Sequence, residues 1–190
     1  WSTPCPPRCT SHSGGFPATP PGGKIHNTGY APESSVPICR MSVKTILEGE
    51  RKPTLRAVAE PVKTKPRDID SLLEDLRDTA VAAAGVGLAA PQIGIEKQVC
   101  IVKIDDEFVL LLNPEIVWRS EEEDTVEEGC LSLPGVAVAV PRAKAIMLRY
   151  RDGKWKEQER KFLDLDARIV QHEVDHLNGV LIVDYRSSRG

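Results

Sequence analysis

The sequence predicts an α+β fold, a helix followed by many antiparallel strands and then a second helix. Three observations carry this. Apolar residues recur at helical spacing over 68–81. Between 99 and 162, short runs rich in β-branched and aromatic residues alternate with turn residues. A second helical stripe begins near Asp164 or Asp166, runs to Asn178 and meets Gly179, where a helix C-terminal glycine belongs.

In the first helix, Ile69, Leu72, Leu73, Leu76, Ala80 and Val81 share one face. Asp68 or Asp70 is placed to cap its start, and Gly85 and Gly87 stop it. Residues 99–104 and 108–112 are expected strands joined by an Asp105-Asp106 hairpin turn, with Asn113-Pro114 breaking the second. Residues 116–119 and 125–127 read as two more short strands. Residues 145–151 and 154–162 flank Asp152-Gly153, a two-residue hairpin turn. In the last helix Leu165, Ile169, His172 and His176 fall at offsets 0, 4, 7 and 11, so both histidines continue an apolar face that must be buried. Residues 180–183 are expected to add a final strand. No internal repeat is visible.

Residues 1–40 differ from the rest. They hold eight of the fifteen prolines and five of the fourteen glycines, a composition of disorder. This tail reads as a non-native extension or a transit-like segment, and Met41 opens the expected folded domain, residues 41–190. The tail carries a charge of +2 and the remainder −5, giving −3 overall. A mildly acidic body gives no support for sequence-independent nucleic-acid binding. No apolar run approaches the length of a membrane span, so no membrane partner is expected. Of five cysteines only Cys100 and Cys130 lie in the body, which is no disulfide framework and points to a reducing compartment.

The chemistry centres on His172-Glu173-Val174-Asp175-His176, an HExxH run. Histidines four apart stand on one helix face and can share a metal ion, with Glu173 beside that face. The only other histidines, His12 and His26, lie in the tail. Two imidazoles do not complete a catalytic site, which normally takes three protein ligands and leaves one position for water. Only fourteen residues follow His176, none of them Glu, and Asp184 is a weak donor candidate. Cys130, in Glu128-Gly129-Cys130-Leu131-Ser132, is the better one, since a thiolate binds divalent metals strongly. Cys100, inside an apolar strand, reads as a small buried hydrophobe. Gly85-Val86-Gly87-Leu88-Ala89-Ala90-Pro91-Gln92 formally matches a dinucleotide fingerprint, but a helix precedes it and Pro91 follows, so that reading is rejected. Its glycines instead suit close approach of backbone to a ligand.

GVGLAAPQ, EGCLS and QHEVDH, in that order, resemble the three signature motifs of the peptide deformylases, over about residues 41–185. The resemblance implies antiparallel sheets packed around a central helix that carries HExxH. It implies one divalent ion held by Cys130, His172 and His176, Fe2+ above all, with Zn2+, Ni2+ or Co2+ as substitutes. A water fills the fourth position, Glu173 takes its proton, and the formyl group of an N-formylmethionyl nascent peptide leaves as formate. Gln92 and the backbone N–H of Leu131 are implied to stabilise the charge on the formyl oxygen. Gly85 and Gly87 are implied to pair with the peptide backbone, and Val86, Leu165 and Ile169 to receive the methionine side chain. Glu128 and Arg142 are implied to pair and brace the cysteine loop, and Asp175 is a possible outer support. The setting implied is the bacterial cytoplasm, in passing contact with ribosomes, or an organelle stroma or matrix if residues 1–40 are a transit peptide. There are two departures. Many members carry an Arg at the position of Ala137, and many bacterial members continue into a further C-terminal helix.

Overall fold

A computed structural model describes residues 42–189. The Pro/Gly-rich tail expected over 1–40 lies outside the described residues. In chain order the elements are α1 (Pro53–Arg56), α2 (Ile69–Ala82), β1 (Gly87–Ala89), a 3-10 turn (Ala90–Ile93), β2 (Val99–Ile104) and β3 (Glu107–Arg119). They continue with β4 (Glu123–Cys130), β5 (Leu133–Ala143), β6 (Ala145–Arg151), β7 (Glu157–Leu163), α3 (Asp164–Leu177) and a 3-10 helix (Ile182–Arg189). Five strands form one antiparallel sheet in the order β1-β2-β3-β6-β7, and β4 pairs with β5 in a second. The expected α+β fold is what forms.

Strand periodicity decides what each sheet face buries. Along β2, Cys100, Val102 and Ile104 point to the α3 side, where they join Ile146, Leu148, Phe162, Ala167, Val170 and Val174. Val99 and Ile101 point the other way and pack with Ile69, Leu76 and Ala80 of α2. The larger sheet is therefore sandwiched between the two main helices. A third cluster, holding Cys130, Leu133, Val138, Val140, Leu181 and Ile182, underlies the small sheet. The HExxH helix lies among these layers, buried along most of its length.

Several local readings need correction. Asn113-Pro114 does not end a strand. Asn113 adopts φ 50°, the β3–β6 register slips between Leu112 and Glu115, and the strand continues. The Asn113 amide anchors this irregularity, accepting from the Val62 N–H and donating to the Val62 carbonyl, both at 2.8 Å. The β6–β7 connection is not a two-residue turn, because Arg151 pairs with Glu157. Asp152 Oδ1 accepts the backbone N–H groups of Lys154 and Lys156, each at 2.9 Å, and so organises the longer loop. Residues 180–183 form no strand. Asp184 Oδ2 accepts the Leu181 N–H at 2.9 Å and starts the last 3-10 helix instead. The run 136–140 belongs to β5, which carries Pro134 and Pro141. A two-stranded sheet leaves each strand one open edge, where proline is tolerated. Asp68 occupies the N-cap of α2 but makes no capping bond with its side chain. The expected Asp105-Asp106 turn forms, with φ 50° and 65°, the positive pair of a type I′ hairpin.

Candidate active site

Helix α3 places His172 and His176 one turn apart, ring centroids 5.0 Å from each other. Cys130 ends β4, where the pairing with β5 slips between Gly129 and Cys130. That slip and the Leu131-Ser132 turn bring the thiol against the helix. Cys130 Sγ lies 3.2 Å from His176 Nε2, and one ligand atom from each of Cys130, His172 and His176 falls within 4.8 Å of the others. A sulfur and two imidazole nitrogens from separate elements, converging in a largely buried spot, fit a divalent transition metal.

Glu128 stands behind the ligands. Its Oε2 is 3.0 Å from His172 Nδ1, which leaves the Nε2 of that ring for the site. Arg142 grips the same carboxylate with two bonds, Nε to Oε1 at 3.0 Å and Nη2 to Oε2 at 2.9 Å. Burial pushes the Glu128 carboxyl up, but the His172 and Arg142 hydrogen bonds outweigh it and hold the group at about 2. Arg142 also donates to Asp175 Oδ2 at 2.5 Å, and the Tyr185 hydroxyl donates to that same oxygen at 2.8 Å. Arg168 donates to Glu128 Oε1 at 2.6 Å. Nothing in the sequence motifs pointed to Arg168. Its spacing of four from His172 on a helix was the one available signal.

Glu173 is 4% exposed, and its Oε2 has no hydrogen-bond partner among the described residues. Burial raises its carboxyl to about 7, against the opposing charges of His172 and Arg142. A carboxylate so poised can take up and release a proton near neutral pH. Its space exists because residue 87 is glycine. A Cβ at Gly87 would stand 2.9 Å from Glu173 Cδ and closer still to Oε1. The motif glycine thus makes room for an acid as well as lying in edge strand β1. Gly87→Ala is expected to displace the carboxylate and lower kcat about 10²-fold, the usual scale for a misplacement of about 1 Å. Metal content measured beside the kinetics should stay at the wild-type level; undiminished kcat would refute this reading of Gly87.

Gln92 is buried. Its Oε1 accepts the Ala89 N–H at 2.8 Å, which orients the amide so that Nε2 donates to Ser132 Oγ at 3.1 Å and faces Cys130 Sγ at 3.9 Å. Ser132 is a further buried partner that the sequence did not single out. A cleft of about 490 Å³ opens over these groups, and Gly85, Val86, Gly87, Leu131, Leu165 and Ile169 all line it. The helix stripe is not uniformly buried, however. Ile169 is 7% exposed, whereas Leu165 is 66% exposed and Val86 52%, so the latter two stand at the mouth. Val126 and Val136 also line the cleft. Asp184 is no ligand here, since it pairs with Arg56. Cys100 is fully buried in β2.

Comparison with known proteins agrees on one family. The family model for polypeptide deformylase matches residues 43–190. The peptide deformylase of Pseudothermotoga lettingae is 43% identical over 132 residues, covering 70% of this chain and 77% of that protein. The peptide deformylase of Synechocystis sp. is 44% identical over 135 residues, covering 68% and 72%. Among solved structures, a class I type b peptide deformylase from Acinetobacter baumannii with Met-Ala-Ser bound superposes with a TM-score of 0.73 at 34% identity, over 76% of this chain and 99% of that one.

Proposed function

Since the chain belongs to the polypeptide deformylase family, a family of metal-dependent hydrolases that remove the N-formyl group from nascent peptides, we propose that it does so in the cleft bounded by Gly87, Gln92, Cys130 and Glu173. One observation carries the assignment: the Cys130 sulfur and the His172 and His176 rings converge beside a buried carboxylate with a free oxygen.

In this reading Cys130, His172 and His176 hold one divalent ion. Fe2+ is the ion proposed, on the family resemblance, and the thiolate and two imidazoles satisfy Zn2+, Ni2+ and Co2+ as well. Bound there, the ion supplies Lewis acidity, which makes water a nucleophile at neutral pH. Glu173 accepts the water proton on its unpartnered oxygen and later delivers it to the departing amine. The Gln92 Nε2 and the Leu131 N–H donate to the formyl oxygen as charge builds on it, an effect typically worth about 3–4 kcal/mol per donor. The methionine side chain enters between Val86, Leu165 and Ile169, where an unbranched thioether fills an irregular apolar space. The peptide backbone runs along β1, an edge strand with one unpaired side, beside Gly85 and Gly87. The Acinetobacter protein is solved with Met-Ala-Ser bound, a peptide with the form of a deformylated product, which supports a methionyl peptide as the ligand class here. The setting proposed is the bacterial cytoplasm, where formylated chains leave the ribosome.

The test is formate release from formyl-Met-Ala-Ser by iron-loaded protein kept free of oxygen, with unformylated peptides alongside. Formate from the first and no cleavage of the second is the expected result. Cleavage of internal bonds without formate would make the chain a metallopeptidase instead.

A further inference from the structure

We propose that Arg168 is a positioning residue for the metal centre: it fixes the spacing between the helix that carries the two histidines and the strand that carries the cysteine. The proposal rests on the reading that Cys130, His172 and His176 hold the ion.

The Glu128 carboxylate receives four donors. Arg142 already binds both oxygens, at 3.0 and 2.9 Å. A second arginine is not needed to satisfy the buried acid. The added donors come from α3: Arg168 Nη1 reaches Oε1 at 2.6 Å, and His172 Nδ1 lies 3.0 Å from Oε2. Residues 168 and 172 are one turn apart, so they project from the same side of the helix. Two side chains of one helix on two oxygens of one carboxylate restrain both rotation and sliding of α3 against β4. Cys130 lies only two residues beyond Glu128 on that strand. The clamp therefore sets the gap across which thiol and imidazoles must meet.

The far side of the guanidinium is anchored as well. Arg168 Nη1 donates to the Val140 carbonyl at 3.0 Å, and Nη2 donates to the Asp124 carbonyl at 3.0 Å and to the Asp124 carboxylate. One rigid planar fork thus ties α3 to both strands of the small sheet. Arg142 differs in kind. It sits on β5, opposite Asp124 in the ladder with β4, and its remaining side-chain bonds go to Asp175 and Tyr185, so its guanidinium makes no link to β4 other than Glu128 itself. A plain structural staple would lower stability when cut and leave metal binding alone. A positioning residue would move metal affinity and ligand geometry.

Cobalt separates these. The full chain is titrated with Co2+ against a competing chelator, following the thiolate charge-transfer and d–d bands, for wild type, Arg168→Lys, Arg168→Met and Asp124→Asn. Wild type should take up one Co2+ with a thiolate band. Arg168→Met should raise the Kd about 10–100-fold, the range seen when groups supporting metal ligands are lost, and shift the d–d band. Arg168→Lys keeps the charge but not the fork and should fall between. Asp124→Asn, at a side chain 44% exposed, should raise Kd by a smaller factor. If Arg168→Met does not fold, the lysine and asparagine variants decide. A Kd within twofold of wild type and an unchanged band in the folded Arg168 variants would overturn the proposal, whatever their melting temperatures. Wild type that binds no Co2+ through the thiolate would instead overturn the assignment of the ligands.

Discussion

Glu173→Gln is expected to lower kcat for formate release by about 10²–10⁴-fold, the range attributed to a positioned acid–base group. KM for formyl-Met-Ala-Ser and the metal content should hold. The substitution changes almost no volume and removes only the ability to take a proton. No other carboxylate among the described residues is placed to replace it: Glu128 is saturated by Arg142, Arg168 and His172, and Asp175 by Arg142 and Tyr185. The same change should make the metal-free protein more stable above neutral pH. Burial raises the folded carboxyl to about 7 from an ordinary value of 4.5. Between those two values the native state keeps a proton that the unfolded chain has lost, so wild-type stability falls as pH rises through the window and then levels off. Glutamine has no such slope. Denaturant melts of the metal-free proteins at pH 5 and pH 8 should show the variant gaining on wild type at the higher pH, by up to a few kcal/mol. Unchanged kcat would remove Glu173 from the chemistry. A stability difference that does not vary with pH would show that its carboxyl is not held above the ordinary range.

What was legible beforehand follows from what sequence pattern encodes. The α3 stripe, the α2 stripe and the Asp105-Asp106 turn are local, and local periodicity and turn chemistry disclosed them. Cys130 was legible as a donor by its residue type and Gln92 only through motif resemblance, because nothing in the local pattern shows that residues 92, 130 and 172 meet; a register slip and a 3-10 turn bring them together. The misread pieces share a cause. At Asn113 a tertiary anchor to Val62 overrides the Asn-Pro break signal. At Asp152 a side chain reorganises a loop that its dipeptide would have closed in two residues. Arg168 escaped notice because an arginine on a helix is ordinary until a buried carboxylate is found opposite it. Leu165 satisfied the stripe yet stands exposed, because it begins α3 at the cleft mouth rather than over the core.

Cys130→Ala should yield a folded protein that retains no divalent metal through purification and releases no formate. The thiol contributes little to packing: it is small, lies at the edge of the third cluster, and alanine is accommodated there at modest cost. Its loss reduces the donor set to two imidazoles on one helix, below the three ligands a catalytic site normally has. The fall in affinity should exceed the 10–100-fold typical of supporting groups. Cys100 supplies the internal control, being the other body cysteine and fully buried in β2. Cys100→Ala should keep full metal content and activity, so metal loss specific to position 130 reports ligation rather than any effect of losing a thiol. Peroxide gives an independent check. In the metal-free wild type Cys130 should oxidise before Cys100, and bound Zn2+ should slow that oxidation, because a ligated thiolate is a poorer nucleophile. Equal protection of the two thiols by Zn2+, or full metal content in Cys130→Ala, would break the assignment of the sulfur, and the His172–His176 pair would then need its third donor elsewhere.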